Sequence, residues 1–259
     1  MALMNLDKIL SWSSLFDKDN LNREVELQNP FSGSVFYDRG SKVAYVLIAP
    51  WHAGSYIFTL IKKRIRGAGD AYVQYNLISD ILSPDAEATR AYFEIVSQNI
   101  RKDLIKIHKE SGVEKFIMVG LSLSCVFAMM IASKNELITD VILVAPGSTL
   151  AESMWDGLRT AKIKRVMKKE GMTLGRLKKY WLQLAPEEYL EGIKDKKVKI
   201  FLSKSDKVIP YRFGKKFADE AKKIIPDVEV KINNMLGHYG TVGSFCLFPK
   251  EMGIENQKI

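Results

Sequence analysis

The sequence predicts an α/β fold, a mostly parallel sheet with helices on both faces, interrupted once by a helical insertion. Three observations carry this expectation. Short β-branched runs alternate with longer helical patterns along most of the chain. The runs are nearly continuous in apolar residues, as strands covered on both faces must be. The alternation then breaks at 147–193, where helical, strongly basic sequence separates one strand from the next.

Taken in chain order, residues 1–40 carry turn signals at Asn29-Pro30, Ser32-Gly33 and Arg39-Gly40 between short apolar stretches, which predicts antiparallel edge strands. Strands are expected at 43–49, 71–77, 115–119, 140–145, 198–203 and 228–232. Between them, the stretch 85–109 places Ala88, Tyr92, Ile95, Val96, Ile100, Leu104 and Ile107 at three- and four-residue spacing, with Pro84 before it and Gly112 as a stop. Further helices are expected at 56–65, 123–133, 212–225 and 239–248, so successive strands should join through right-handed crossovers. The division that follows is a core of residues 1–146 and 194–259 with an insertion at 147–193, and the polar tail 249–259 should fray.

Composition narrows the classes of function. At 259 residues, 47% hydrophobic and 27% charged, with eight prolines and 17 glycines, the chain is neither collagenous nor disordered. No apolar run reaches the roughly 18 residues needed to cross a bilayer. Asp7 and Lys8 interrupt the opening stretch where a signal peptide would be apolar, which predicts a cytoplasmic protein. Cys125 and Cys246 are too few for a disulfide framework, and His52, His108 and His238 lie too far apart for local ligand spacing, so neither a metal nor a cofactor is expected. The net charge of +9 is concentrated: nine basic residues stand against the single acid Glu170 between positions 157 and 181. A charge confined to one segment marks a special surface and argues against nucleic-acid binding by a basic scaffold.

The most informative stretch runs Phe116-Ile-Met-Val-Gly-Leu-Ser-Leu-Ser-Cys-Val-Phe-Ala-Met-Met, a buried strand passing through Gly120-Leu121-Ser122-Leu123-Ser124 directly into an apolar helix. A serine at such a turn sits in a strained backbone conformation, so small residues are needed two places before and two places after it. Gly120 and Ser124 meet that need. The turn points the Ser122 hydroxyl out of the sheet and aims the Leu123 backbone N–H at the place where negative charge would develop. An ordinary strand-to-helix turn capped by serine has the same letters, so context must decide.

This segment resembles the nucleophile elbow of the α/β-hydrolase family, written Gly-x-Ser-x-Gly, with Ser124 in place of the final glycine. The resemblance implies the α/β-hydrolase fold and the chain order serine, acid, histidine. Phe201-Leu-Ser-Lys-Ser-Asp206 places Asp206 just beyond a strand end, and Asn233-Asn-Met-Leu-Gly-His238-Tyr-Gly places His238 on a glycine-flanked loop after the last strand. Taken singly, an aspartate at a strand end is most often a helix cap and a histidine after glycine a loop residue. In this order and at matching strand ends they fit the acid and the base. A serine hydroxyl is a poor nucleophile at neutral pH; an imidazole must take its proton, and a carboxylate on the other ring nitrogen fixes the tautomer. Asp140 opens its strand at the wrong edge of the sheet and Glu152 lies well past the end of its own, so both are weaker acids for this role. His108 is expected at the surface, and Cys125 in the core.

The resemblance places the second oxyanion donor in the loop after an early strand, Ala49-Pro50-Trp51-His52-Ala53-Gly54, so that Trp51 or, by preference, His52 would join Leu123. It also makes 147–193 a cap that selects the substrate, with Met154 and Trp155 lining a pocket for an acyl chain. The lysines of the cap would face anionic lipid or acidic ligands; a solvated helix face covering its own core gives the same pattern. The implied activity is cleavage of a carboxylic ester or thioester through an acyl-enzyme on Ser122. Acyl transfer stays open, because a Ser-Leu-Ser elbow without the final glycine is similar to that of the acyl-transferase/thioesterase of bacterial light-producing systems. A catalytically silent relative that binds a lipid or partner through the basic cap is the other alternative.

Overall fold

The computed structural model describes residues 33–38, 40–51, 55–77, 81–157 and 159–247. Strands β1 (Gly33–Tyr37), β2 (Val43–Ile48), β3 (Ala71–Asn76), β4 (Lys115–Leu121), β5 (Ile138–Val144), β6 (Lys197–Ser203) and β7 (Val228–Asn233) form one seven-stranded sheet in the order β1-β3-β2-β4-β5-β6-β7. β1 runs antiparallel to β3, and every other neighbouring pair is parallel. The antiparallel edge expected near the start is thus present as β1, while the turn signals at Asn29-Pro30 and Ser32 lie outside the described residues.

Helices α1 (Thr59–Gly67), α2 (Ala86–Ser111), α3 (Ser124–Ala132), α4 (Leu150–Asp156), α5 (Ala161–Lys169), α6 (Leu174–Tyr180), α7 (Tyr211–Ile224) and α8 (Gly237–Leu247) complete the described architecture. The sheet divides its side chains by alternation. On one face Val46, Val73, Met118, Val141 and Ile200 pack with Phe93 and Ile100 of α2, Phe127 of α3 and Phe217 of α7. On the other, Leu47, Tyr72, Val119, Ile142 and Val144 pack with Ile61 and Ile65 of α1 and Phe245 of α8. The continuous apolar runs in the sequence are the signature of this double coverage.

Helix α2 shows how the chain starts and stops an element. Asp85 accepts from the backbone N–H groups of Glu87 and Ala88, and Gly112 closes the far end at φ 77°, a conformation that costs a glycine little. Its buried stripe runs Ala86, Thr89, Phe93, Val96, Ser97, Ile100, Leu104 and Ile107. Ile95 and Ala88, assigned to that stripe from the spacing, face solvent instead. The true stripe includes Thr89 and Ser97, polar residues that a hydrophobic pattern passes over.

The register aligns the C-terminal ends of the central strands. Ile48 lies opposite Gly120, Leu121 opposite Val144, Val144 opposite Phe201 and Ser203 opposite Asn233. All parallel strands therefore empty onto one rim, where loops can converge. Between β5 and β6 the chain leaves the sheet for α4, α5, α6 and three short 3-10 turns (Leu182–Leu184, Pro186–Tyr189 and Glu191–Ile193). Trp181 anchors this helical segment: it is fully buried and its Nε1–H donates to the Ala86 carbonyl at 2.8 Å.

Candidate active site

The junction of β4 and α3 is a tight elbow. Ser122 adopts φ 58°, a left-handed conformation that β-carbon sterics disfavour outside glycine. Its own N–H is held by the Val144 carbonyl at 2.8 Å. Gly120 is obligatory for packing, since a β-carbon there would sit 2.8 Å from the Cys125 Cα and 2.9 Å from the Ala128 Cβ. The elbow therefore requires a glycine before the serine because helix and strand touch at that point.

Ser124, the residue that departs from the family pattern, is fully buried and has a defined task. Its Oγ accepts from the Leu121 N–H at 2.7 Å, and lies 2.9 Å from both the Ile48 and Leu121 carbonyl oxygens, to which its single proton can be donated. The hydroxyl thus clips the elbow to the end of β2. A glycine would leave those backbone groups to find other partners, so the substitution adds a contact without crowding the turn.

Asp206 and His238 reach Ser122 from beyond the ends of β6 and β7. His238 Nδ1 lies 2.7 Å from Asp206 Oδ2, and Nε2 lies 2.8 Å from Ser122 Oγ. A carboxylate only accepts, so Nδ1–H donates to Asp206, and the bare Nε2 accepts the Ser122 hydroxyl proton. Asp206 and His238 are 8% and 6% exposed, which keeps water from competing for these bonds. The other carboxylate oxygen, Oδ1, accepts from the Val208 and Ile209 N–H groups, both at 2.9 Å, so the acid is fixed from two sides.

His238 was expected on a loop, with a helix starting at Tyr239. It lies instead on the first turn of α8, which begins at Gly237. Gly237, at φ 64°, makes the sharp entry, and its N–H lies 3.0 Å from both Ser203 Oγ and Ser205 Oγ. Asn233 braces the same turn: its Nδ2 donates to the Leu202 carbonyl and to Thr241 Oγ1, and its Oδ1 accepts from Leu236 N–H. Sequence reasoning missed Ser203, Ser205, Asn233 and Thr241 as positioning residues. The only signal available was the clustering of short polar side chains around the acid and just after β7.

Leu123 stands at the start of α3, where first-turn N–H groups lack intrahelical acceptors and the helix dipole favours negative charge. Trp51 follows the end of β2, half-buried and packed against the core. His52 lies outside the described residues. Met154 is 2% exposed and Trp155 half-buried, with Lys164 and Lys168 over its ring at 5.5 and 5.8 Å. Two cavities of about 280 and 370 Å³, one beside β7 and the other between α2, α3 and the 3-10 turns, are lined by none of Ser122, Asp206 or His238.

The competing groups stand apart from this chain of bonds. Glu152 binds Lys178 at 2.7 Å, a contact that holds its carboxyl below the usual range. Asp140 is bonded to Thr139 near the start of β5, at the opposite end of that strand from Ser122. His108 is half-buried, and its Nδ1 meets the Val113 carbonyl at 2.6 Å, tying down the end of α2. Cys125 lies at the elbow, but burial pushes its thiol far up, and burial pushes Cys246 up to about 12, so both are core sulfurs.

No protein-family model matches the chain, and no curated protein matches its sequence. Solved structures do. The chain is similar to the esterase Pf2001 of Pyrococcus furiosus, with a TM-score of 0.61 and 13% identity over 89% of this chain and 86% of that one. It is similar to Est1E from Butyrivibrio proteoclasticus, with a TM-score of 0.61 and 13% identity over 90% of this chain and 98% of that one. It is also similar to the acylaminoacyl peptidase of Pyrococcus horikoshii, with a TM-score of 0.67 and 14% identity over 92% of this chain but 42% of that longer one. The strand order, the strained serine at the end of β4 and these likenesses agree: the chain has the α/β-hydrolase fold.

Proposed function

We propose that the protein is a serine hydrolase that cleaves a carboxylic ester or thioester through an acyl-enzyme on Ser122. The observation that carries this reading is the unbroken hydrogen-bonded chain from Ser122 Oγ through His238 to Asp206, held in a strained turn. In the proposed reaction Ser122 Oγ bonds to the substrate carbonyl carbon while its proton passes to His238 Nε2. Asp206 stabilises the imidazolium that forms. The carbonyl π-electrons move to the oxygen, and the Leu123 N–H at the mouth of α3 faces the resulting oxyanion, with Trp51 or His52 as source of the second donor.

The tetrahedral intermediate then collapses, the bond to the leaving oxygen or sulfur breaks, and that atom takes the proton from Nε2. Water repeats the sequence with His238 as base, releasing the acid and restoring Ser122. The half-buried Trp155 is the apolar side of the cap offered to the acyl portion, and Met154, buried in the core, supports it from beneath. The basic surface of α5 and α6 is the part of the molecule suited to an anionic membrane.

A fluorophosphonate probe tests the reading. Wild type is expected to be labelled on Ser122, and Ser122→Ala to be folded and unlabelled. Absence of labelling in folded wild type would favour the silent, ligand-binding alternative. Acyl transfer is distinguished by adding alcohol or thiol acceptors to the ester reaction and identifying the product.

A further inference from the structure

Above the base, the helical segment presents one cation in a fixed place. Arg159 lies in the turn joining α4 to α5, and that turn is seated directly on the loop of the acid. A β-carbon at Gly157 would meet the Val208 carbonyl oxygen at 3.2 Å and the Ser153 carbonyl oxygen at 2.7 Å. Thr160 Oγ1 is bonded to the carbonyls of Met154 and Gly157, which closes the turn on itself. Arg159 Nη1 donates to Tyr239 Oη at 2.7 Å, and its guanidinium carbon lies 5.8 Å from the centre of that ring. Tyr239 is the residue after His238, and the two rings meet edge to face at 5.5 Å. The guanidinium is therefore one ring away from the imidazole.

The local charge is unbalanced. Both acids on α4 are already engaged, Asp156 with Arg212 at 2.5 Å and Glu152 with Lys178 at 2.7 Å. Among the described residues Arg159 meets no carboxylate, and it is exposed. One of its five N–H groups is committed to Tyr239, so the planar fork remains available for two parallel bonds to an anion. Lys162 and Arg165 on the adjoining α5 add to the positive field.

We propose that Arg159 is a specificity-determining residue that selects ester or thioester substrates carrying an anionic oxygen group, carboxylate or phosphate, near the scissile carbonyl. The proposal rests on Ser122 being the nucleophile, as inferred above. Tyr239 holds the guanidinium at the rim, so the anion is bound without a large ordering cost on the arginine side. The cap then orients its substrate by charge as well as by apolar contact.

The test compares phenyl acetate with three charged esters: monophenyl succinate, with its carboxylate on the acyl side, 4-acetoxybenzoate, with it on the leaving side, and 4-acetoxyphenyl phosphate. Wild type is expected to favour at least one charged ester over phenyl acetate by about tenfold in kcat/KM, a preference that shrinks as salt rises. In Arg159→Gln the ratio of charged to neutral kcat/KM should fall by about tenfold, through KM, while Arg159→Lys keeps much of it. The identity of the favoured ester separates carboxylate from phosphate. Equal losses on all four esters would make Arg159 a mere latch and overturn the proposal. So would a wild type that is labelled by fluorophosphonate yet shows no charge preference, a result that leaves the Ser122 reading standing. Failure of wild type to be labelled and to cleave any ester defeats both.

Discussion

The sheet rim and the helical segment between β5 and β6 are held by different forces. At the rim, Ser122, Ser124, Asp206 and His238 are fixed by hydrogen bonds to backbone groups or to one another in places mostly closed to water. The helical segment buries Met167, Leu177 and Trp181 beneath it and is pinned by the buried Trp181 bond to the Ala86 carbonyl, but its charged contacts, Lys178 to Glu152, Arg212 to Asp156 and lysines over Trp155, are partly or largely exposed. Buried bonds resist salt and tolerate little change, whereas exposed ion pairs are screened and individually weak. The arrangement keeps the Ser122–His238–Asp206 geometry constant while leaving the outer surface of the helical segment open to variation.

The largest break in this comparison is Ser122→Ala, expected to lower kcat/KM for an ester by on the order of a thousandfold with the thermal melt nearly unchanged. Next is Gly120→Val, which forces side-chain atoms into the Cys125 backbone and should cost about 3 kcal/mol in urea denaturation. Ser124→Ala leaves the Leu121 N–H and the Ile48 carbonyl without their partner and should cost about 1–2 kcal/mol, with a partial loss of activity from a loosened elbow.

A titrating group outside both regions sharpens the scale. Burial pushes Asp103 up to about 6, against the lowering pull of the Tyr75 hydroxyl that donates to it at 3.3 Å. Its folded form binds a proton more tightly than its unfolded form, so its stabilisation is fully present below the unfolded value of about 4 and is lost as pH rises through about 6. Asp103→Asn should therefore gain about 1 kcal/mol at pH 8, after discounting for partial exposure, and gain nothing near pH 4, as paired denaturation curves would show. The smallest effect belongs to the helical segment: Lys178→Met should cost no more than about 0.5 kcal/mol, and high salt should erase the difference.

The parallel strands were legible because double coverage leaves continuous apolar runs, and the elbow because steric crowding leaves few residue types possible around Ser122. Asp206 and His238 were legible through chain order and strand ends. What was not legible depended on contacts distant in sequence. Ser124 reads as a defect in the family pattern until its bond to Ile48, 76 positions away, is seen. Ser203 and Ser205 read as loop polarity until Gly237 is brought against them. The buried stripe of α2 was misjudged at Ile95 because three- and four-residue spacing admits more than one face, and only the position of α3 against Phe93 selects among them.

The placement of His238 on the opening turn of α8 has a mechanical consequence. Further along the same rod, Val242, Phe245 and Cys246 are wedged into the layer that also seats Phe58 and Ile61, immediately downstream of the Trp51 segment. The imidazole is thus steered from its far end like the tip of a tiller. A replacement that shifts the seat of Phe245 would swing the ring away from the Ser122 hydroxyl without altering Ser122, Asp206 or His238 themselves.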